Sequence, residues 1–189
     1  MNWLKNWMIA LGMLWSWCAP MTGQALAVES AYGAPVEYEV KAAFVHNFTK
    51  FIEWPPEAFE NENSPIRLGI LGEGPINGPL LAIYGKEVQN RKLEISRVRI
   101  GGDLRKYHII FVNPSEKTRA RSILHTLKGS GILTIGDMPG FAEQCGIINF
   151  YLESGKVRFE INIGASQREK LQVSSRLLRL ARIVSSQCD

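Results

Sequence analysis

The segment Tyr38–Trp54, YEVKAAFVHNFTKFIEW, constrains the fold of this chain more than any other stretch. Its apolar residues Val40, Ala43, Phe44, Phe48, Phe51 and Ile52 recur at steps of three and four, which lines one face of a helix. Lys41, Asn47 and Lys50 fall elsewhere on the wheel. Pro55 and Pro56 cannot donate the next backbone hydrogen bonds, so they set the expected end of the helix. Each buried phenylalanine would contribute about 1.5–3 kcal/mol, and this face is therefore predicted to pack into a core. Asn47, Lys50 and Trp54 are the positions in the segment where a functional role stays open.

What precedes that helix reads as a targeting segment. Lys5 supplies a positive start, Trp7–Trp17 is an apolar run too short to span a bilayer with ease, and Ala25-Leu26-Ala27 offers the small residues of a cleavage site. A signal peptide over residues 1–27, cleaved after Ala27, is expected. The alternatives are a lipoprotein anchored through Cys18, disfavoured by the bulk of Trp17, and an uncleaved anchor. Residues 28–36 are small and polar, the character of a flexible lead-in to a single domain over residues 37–189. The whole chain carries a formal charge of +4, and loss of Lys5 leaves it mildly basic. No basic run is interleaved with stacking aromatics, which argues against nucleic acid. Export leaves Cys145 and Cys188 as disulfide candidates, with an internal bridge, two free thiols and an intermolecular link all open.

Further along, Ile66–Leu71 and Tyr107–Val112 are short apolar runs of the kind buried in central strands. Asn77–Tyr84 is a short helix candidate, and Lys86–Ile100 holds one or two strands. Ser115 is placed to cap a helix over Glu116–Leu127, followed by a strand at Ile132–Ile135. Ile147–Leu152 and Lys156–Ile163 flank Glu153-Ser154-Gly155 as a β-hairpin, and a last helix is predicted from about Ser175 to Val184. This order predicts an α/β fold: a compact single-domain sandwich with a mixed central sheet flanked by helices, ending in a C-terminal hairpin and helix.

Signs of catalysis are weak. Gly72-Glu73-Gly74 follows a strand and precedes a helix, but lacks the Lys-Ser/Thr of a phosphate-binding loop, and a plain turn is expected. His46, His108 and His125 are too scattered for a metal site, and His108, at the start of an apolar strand, reads as structural. Asp137 and Glu160 are not brought together by any spacing, and no serine has a nucleophile-elbow context. No enzyme activity, metal or cofactor is expected. The C-terminal segment is more informative: on a helix, Arg176, Arg179 and Arg182 form a strip at steps of three, with Ser174 or Ser175 as cap. Such guanidinium groups suit carboxylates or other anions on a ligand or partner, although a solvated basic face also fits. Glu160 and Asn162 alternate with Phe159, Ile161 and Ile163, so one face of that strand presents polar groups, with Arg176 as a candidate partner.

Four blocks carry a family resemblance. Y-x-V-K-A-A-F-x-x-N-F-x-K-F-x-E-W-P at Tyr38–Pro55 resembles the opening helix of the YfiR family (DUF4154) of exported bacterial proteins. G-x-I-N-F at Gly146–Phe150, V-R-F-E-I-N at Val157–Asn162 and S-S-R-L-L-R-L-A at Ser174–Ala181 resemble its later blocks, in the same order. The resemblance implies a periplasmic regulator without enzymatic activity, built on an α/β sandwich and often dimeric. It further implies a partner: the periplasmic domain of an inner-membrane diguanylate cyclase of the YfiN kind, or of a sensor kinase. The namesake's bridge near Cys145 lacks its neighbouring partner here, with Tyr151 and Leu152 in that region. Candidate contact or site-shaping residues are Lys41, Asn47, Lys50, Trp54, Asn149, Glu160, Asn162, Ser175, Arg176 and Arg179. The competing reading is a small-molecule-binding module in which Arg176 and the loop end of the sheet hold an anionic ligand.

Overall fold

The structure, a computed structural model, describes residues 33–185. The expected leader with its cleavage after Ala27, and both Cys18 and Cys188, lie outside the described residues. Helix α1 covers Gly33–Phe51, so residues 33–36 of the expected lead-in are already helical. It ends before the prolines, because β1 (Ile52–Glu53) leaves it to pair with a strand near the C-terminus. The buried face of α1 is rotated from the one that periodicity gave. Ala42, Val45, Phe48 and Ile52 are buried together with Lys41 and Thr49, whereas Val40 and Ala43 are exposed.

The chain continues through β2 (Ile66–Leu71), α2 (Asn77–Leu81), β3 (Glu87–Val88), β4 (Arg91–Val98) and β5 (Ile109–Val112). A 3-10 turn at Pro114–Arg119 leads into α3 (Ala120–Leu127), then β6 (Leu133–Gly136) and the hairpin β7 (Ile148–Glu153) and β8 (Lys156–Asn162). Short elements finish the described chain: α4 (Ile163–Arg168), β9 (Gln172–Val173), α5 (Ser175–Leu178) and β10 (Arg182–Val184). Eight strands form one mixed sheet in the order β10-β8-β7-β6-β5-β2-β4-β3, and β1 pairs with β9 separately. The pairs from β4 through β2, β5 and β6 to β7 are parallel, the β7–β8 hairpin is antiparallel, and β10 returns parallel to β8. The predicted mixed α/β architecture with its C-terminal hairpin and helix is the observed one.

Period-two alternation in the central strands divides the interior. Leu68, Ile70, Ile109 and Phe111 face one apolar cluster, under α1 and α2; Leu71, Ile110 and Val112 face another, under α3. The α1 side is held by aromatic rings. Phe48 meets Phe159 edge-on at 4.9 Å and stacks on Phe150 at 5.6 Å, and Phe44 lies 5.6 Å from Phe159. Phe150 and Phe159 are themselves register partners across the hairpin. Such ring pairs add about 0.5–1.5 kcal/mol each beyond their area, which fixes α1 over β7 and β8.

The C-terminus departs from the sequence reading. The predicted helix Ser175–Val184 is only α5, capped by Ser174, whose hydroxyl accepts from the Arg176 amide at 3.3 Å. Residues 182–184 form β10 instead, with Arg182 opposite Glu160 and Ile183 opposite Ile161. Arg176, Arg179 and Arg182 therefore do not share one helix face. Ser115 also differs from its expected role as a helix cap, because its hydroxyl accepts from the Glu73 amide at 2.9 Å. That contact, with Asn113 packed so closely that a Cβ on Gly74 would lie 2.1 Å from its side-chain oxygen, fills the Gly72–Gly74 turn from inside.

Candidate functional site

A cleft of about 650 Å³ opens where the start of α1 passes the ends of β6 and β7, and it reaches across β8 to β10. Its walls bring together residues far apart in the chain, among them Glu37, Tyr38, Lys41, Asp137, Asn149 and Glu160. Register explains the floor. Asn149 of β7 lies opposite Glu160 of β8, which lies opposite Arg182 of β10, so three polar side chains form one row across the sheet.

The three side chains of that row are hydrogen-bonded in series. Asn149 accepts from the Met138 amide at 3.1 Å and donates to Glu160 Oε1 at 2.9 Å. Arg182 donates through Nε to Glu160 Oε2 at 3.0 Å, and through a second nitrogen to the same oxygen. The guanidinium also lies 4.1 Å over the Tyr151 ring. Glu160 is 1% exposed, and a buried carboxylate of this kind is tolerated only when paired and hydrogen-bonded. Its hydrogen bond raises the already high pKa of Arg182 further.

On the opposite wall, Lys41 is 3% exposed and spans two carboxylates. Its ammonium donates to Glu37 at 2.5 Å and to both oxygens of Asp137, at 2.7 and 2.8 Å, and it lies 5.0 Å over the Tyr38 ring. Burial by itself lowers the Lys41 pKa, but the hydrogen bonds and charges of Asp137 and Glu37 outweigh it and leave the group above its ordinary 10.5. The ammonium therefore stays charged. Chemically, the cleft is a recess lined by opposed charges that hold one another in place, with tyrosine rings beside each cation.

The structure distributes the sequence candidates over several places. Lys41, Asn149 and Glu160 meet in the cleft. Asn162 is wholly buried behind it: its side chain accepts from the Ala165 amide, capping α4, and donates to the Ala142 carbonyl at 2.8 Å. Trp54 is in the core, edge-on to Phe59. Asn47 and Lys50 are exposed on α1 and bond each other at 3.2 Å. Ser175, Arg176 and Arg179 are exposed on and just after α5, and the ion partner of Glu160 is Arg182 rather than Arg176. Sequence reasoning missed Glu37, Tyr38, Asp137 and Tyr151. Glu37 stands four residues before Lys41, a helical pairing signal that was there to be used; Asp137 carries no local signal. His108 is structural as expected: it accepts from the Arg67 amide, contacts the Ala58 carbonyl and stacks on Phe59. Among the described residues no group of three or more His, Cys, Asp or Glu could hold a metal.

Fold and cleft together define a mixed α/β domain with a recessed, internally paired polar cleft toward one end of its sheet. The chain belongs to the DUF4154 family, described as YfiR/HmsC-like, whose model matches residues 38–182. This is a regulatory, non-catalytic family of the periplasm, and membership points to cyclic di-GMP signalling in general. No curated protein matches the chain. Among solved structures it is similar to a conserved domain protein from Vibrio cholerae O1 biovar eltor str. N16961, at 10% identity and a TM-score of 0.50. That match covers 79% of this chain and 60% of the Vibrio chain, and what it supports is the fold. Among the described residues no helix is long and apolar enough to cross a membrane.

Proposed function

We propose that this protein is a periplasmic regulatory subunit that binds the outer domain of an inner-membrane diguanylate cyclase and restrains it, lowering cyclic di-GMP and biofilm formation. The observation that carries this reading is the family match over residues 38–182. The cleft supports docking over turnover, since Lys41 is held by Asp137 and Arg182 by Glu160 rather than being poised to exchange protons. Mechanistically the subunit acts through differential affinity for the receptor's inactive state. Moving a receptor from 1:99 to 99:1 in favour of that state takes about 5.5 kcal/mol of preference. Export, removal of residues 1–27, a Cys145–Cys188 bridge and a homodimer belong to the same proposal. Deleting the gene is expected to raise cellular cyclic di-GMP, and restoring the exported form to lower it again; an unchanged level on deletion contradicts the proposal.

The cleft also favours a second reading, a small ligand that sets the strength of restraint or serves a sensor kinase. Its volume lies within the range of about 300–1,000 Å³ typical of ligand pockets. Arg176 does not line it, and both of its cations already hold carboxylates, so an anionic ligand has to displace those pairs. A thermal-shift screen with nucleotides, amino acids and cell-wall fragments tests this: a saturable shift that Asp137→Asn alters supports it, and silence across the screen counts against it.

A further inference from the structure

The eight-stranded sheet ends at β10, and no strand among the described residues pairs with its outer edge. An edge of this kind offers free backbone donors and acceptors to another chain. Two large apolar side chains lie exposed beside it. Leu180 is 71% exposed and Ile183 45%, on either side of Arg182. Residues 174–185 carry Arg176, Arg179 and Arg182 and no acidic residue. All three are exposed; Arg182 is committed to Glu160, whereas Arg176 and Arg179 make no ion pair among the described residues.

We propose that this C-terminal edge, from α5 through β10, is the docking surface for the restrained receptor, and that the receptor presents an acidic strand with apolar side chains. The inference rests on the regulatory reading above and gives it a place and a partner chemistry. Strand addition supplies backbone hydrogen bonds as the source of affinity, and alternate side chains supply specificity. Here Leu180 and Ile183 offer the apolar contacts, while Arg176 and Arg179 select carboxylates. Charge decides between occupants. A second copy would bring two acid-free arginine segments together, and like charges across an interface are strongly disfavoured. The shortness of β10 and its arginines also discourage self-pairing, as edge strands generally must, without opposing an acidic strand.

The test uses the exported protein in its own host, with cyclic di-GMP and capture of the cyclase from detergent-solubilised inner membranes as readouts. Arg176→Glu/Arg179→Glu and Leu180→Asp/Ile183→Asp are compared with the deletion and with Arg121→Glu, an exposed reversal on α3. Both edge variants are expected to raise cyclic di-GMP to the deletion level and to cut capture by at least about tenfold. The wild-type capture should fall as salt is raised, and Arg121→Glu should restrain normally. If Leu180→Asp/Ile183→Asp fails to fold, the arginine pair decides, because among the described residues no side-chain hydrogen bond or ion pair of theirs holds the fold. Full restraint by folded edge variants, while deletion still derepresses, overturns the edge and leaves the regulatory reading standing. An unchanged level on deletion overturns the regulatory reading and the edge with it. Edge variants that convert a dimer to a monomer in sedimentation show a second copy on this surface, which also overturns the proposal.

Discussion

Replacing Lys41 with methionine should cost this domain a substantial part of its stability. The ammonium is buried and makes contacts of 2.5, 2.7 and 2.8 Å to Glu37 and Asp137. Without it, two carboxylates remain facing each other across the position it held. Breaking a buried ion pair costs about 3–5 kcal/mol. Glu37 and Asp137 keep 22% and 14% of their side-chain exposure, which screens part of the repulsion and places the expected loss near about 3 kcal/mol. The loss should be complete at neutral pH: the folded-state pKa of Lys41 is raised, so its contribution is fully present below 10.5 and disappears only as pH rises through the folded value. Adding Asp137→Leu to Lys41→Met removes the strongest uncompensated charge, so the double variant should be more stable than Lys41→Met alone. Urea unfolding followed by fluorescence of Trp54, a core residue and the one tryptophan beyond residue 17, reads all three. A loss below about 1 kcal/mol for Lys41→Met, or a double variant less stable than the single one, would refute the reasoning.

Further outcomes follow from other contacts. Burial foremost lowers the His108 pKa, with Arg67 and Arg91 adding to it. The stability His108 confers is therefore present above its ordinary 6.5 and falls as pH drops from there toward the folded value; urea midpoints should decline in that window, less steeply in His108→Asn, and equal slopes would contradict this. A Cβ on Gly146 would sit 2.2 Å from the Phe141 ring and 2.8 Å from its carbonyl oxygen. Gly146→Ala should thus lower stability by about 1–3 kcal/mol, and an unchanged melting temperature would show that Phe141 moves aside freely. Thiol titration of the exported protein in denaturant without reductant should find no free thiol if Cys145 and Cys188 pair, and two thiols would reject the bridge.

The fold was more legible in the sequence than the cleft was. Short apolar runs such as Ile66–Leu71 and Tyr107–Val112 carry their burial locally, and the turn at Ser154-Gly155 marks the hairpin without help from distant residues. The face of α1 was harder, because what it covers is a pair of phenylalanines, Phe150 and Phe159, about a hundred residues later in the chain. Lys41 reads as solvent-facing by charge alone and is buried because Asp137, 96 positions away, reaches it. At the C-terminus, Leu177–Val184 suits a helix by period, but the open edge of β8 and the β-branched pair Ile183-Val184 draw the last three residues into the sheet. Glu160 was identified as a candidate on its strand, yet its partner followed from that switch of helix to strand and could not be read from spacing.

The central claim, that this protein works by holding a membrane receptor in its inactive state, is tested most directly by recovering that receptor. Tagged, exported protein is cross-linked in living cells and isolated from solubilised inner membranes, and cyclic di-GMP is measured in the same cells with and without the gene. The account predicts a co-purified diguanylate cyclase with an outer domain, and a rise in cyclic di-GMP when the gene is absent. Recovery of no receptor together with an unchanged nucleotide level would contradict it.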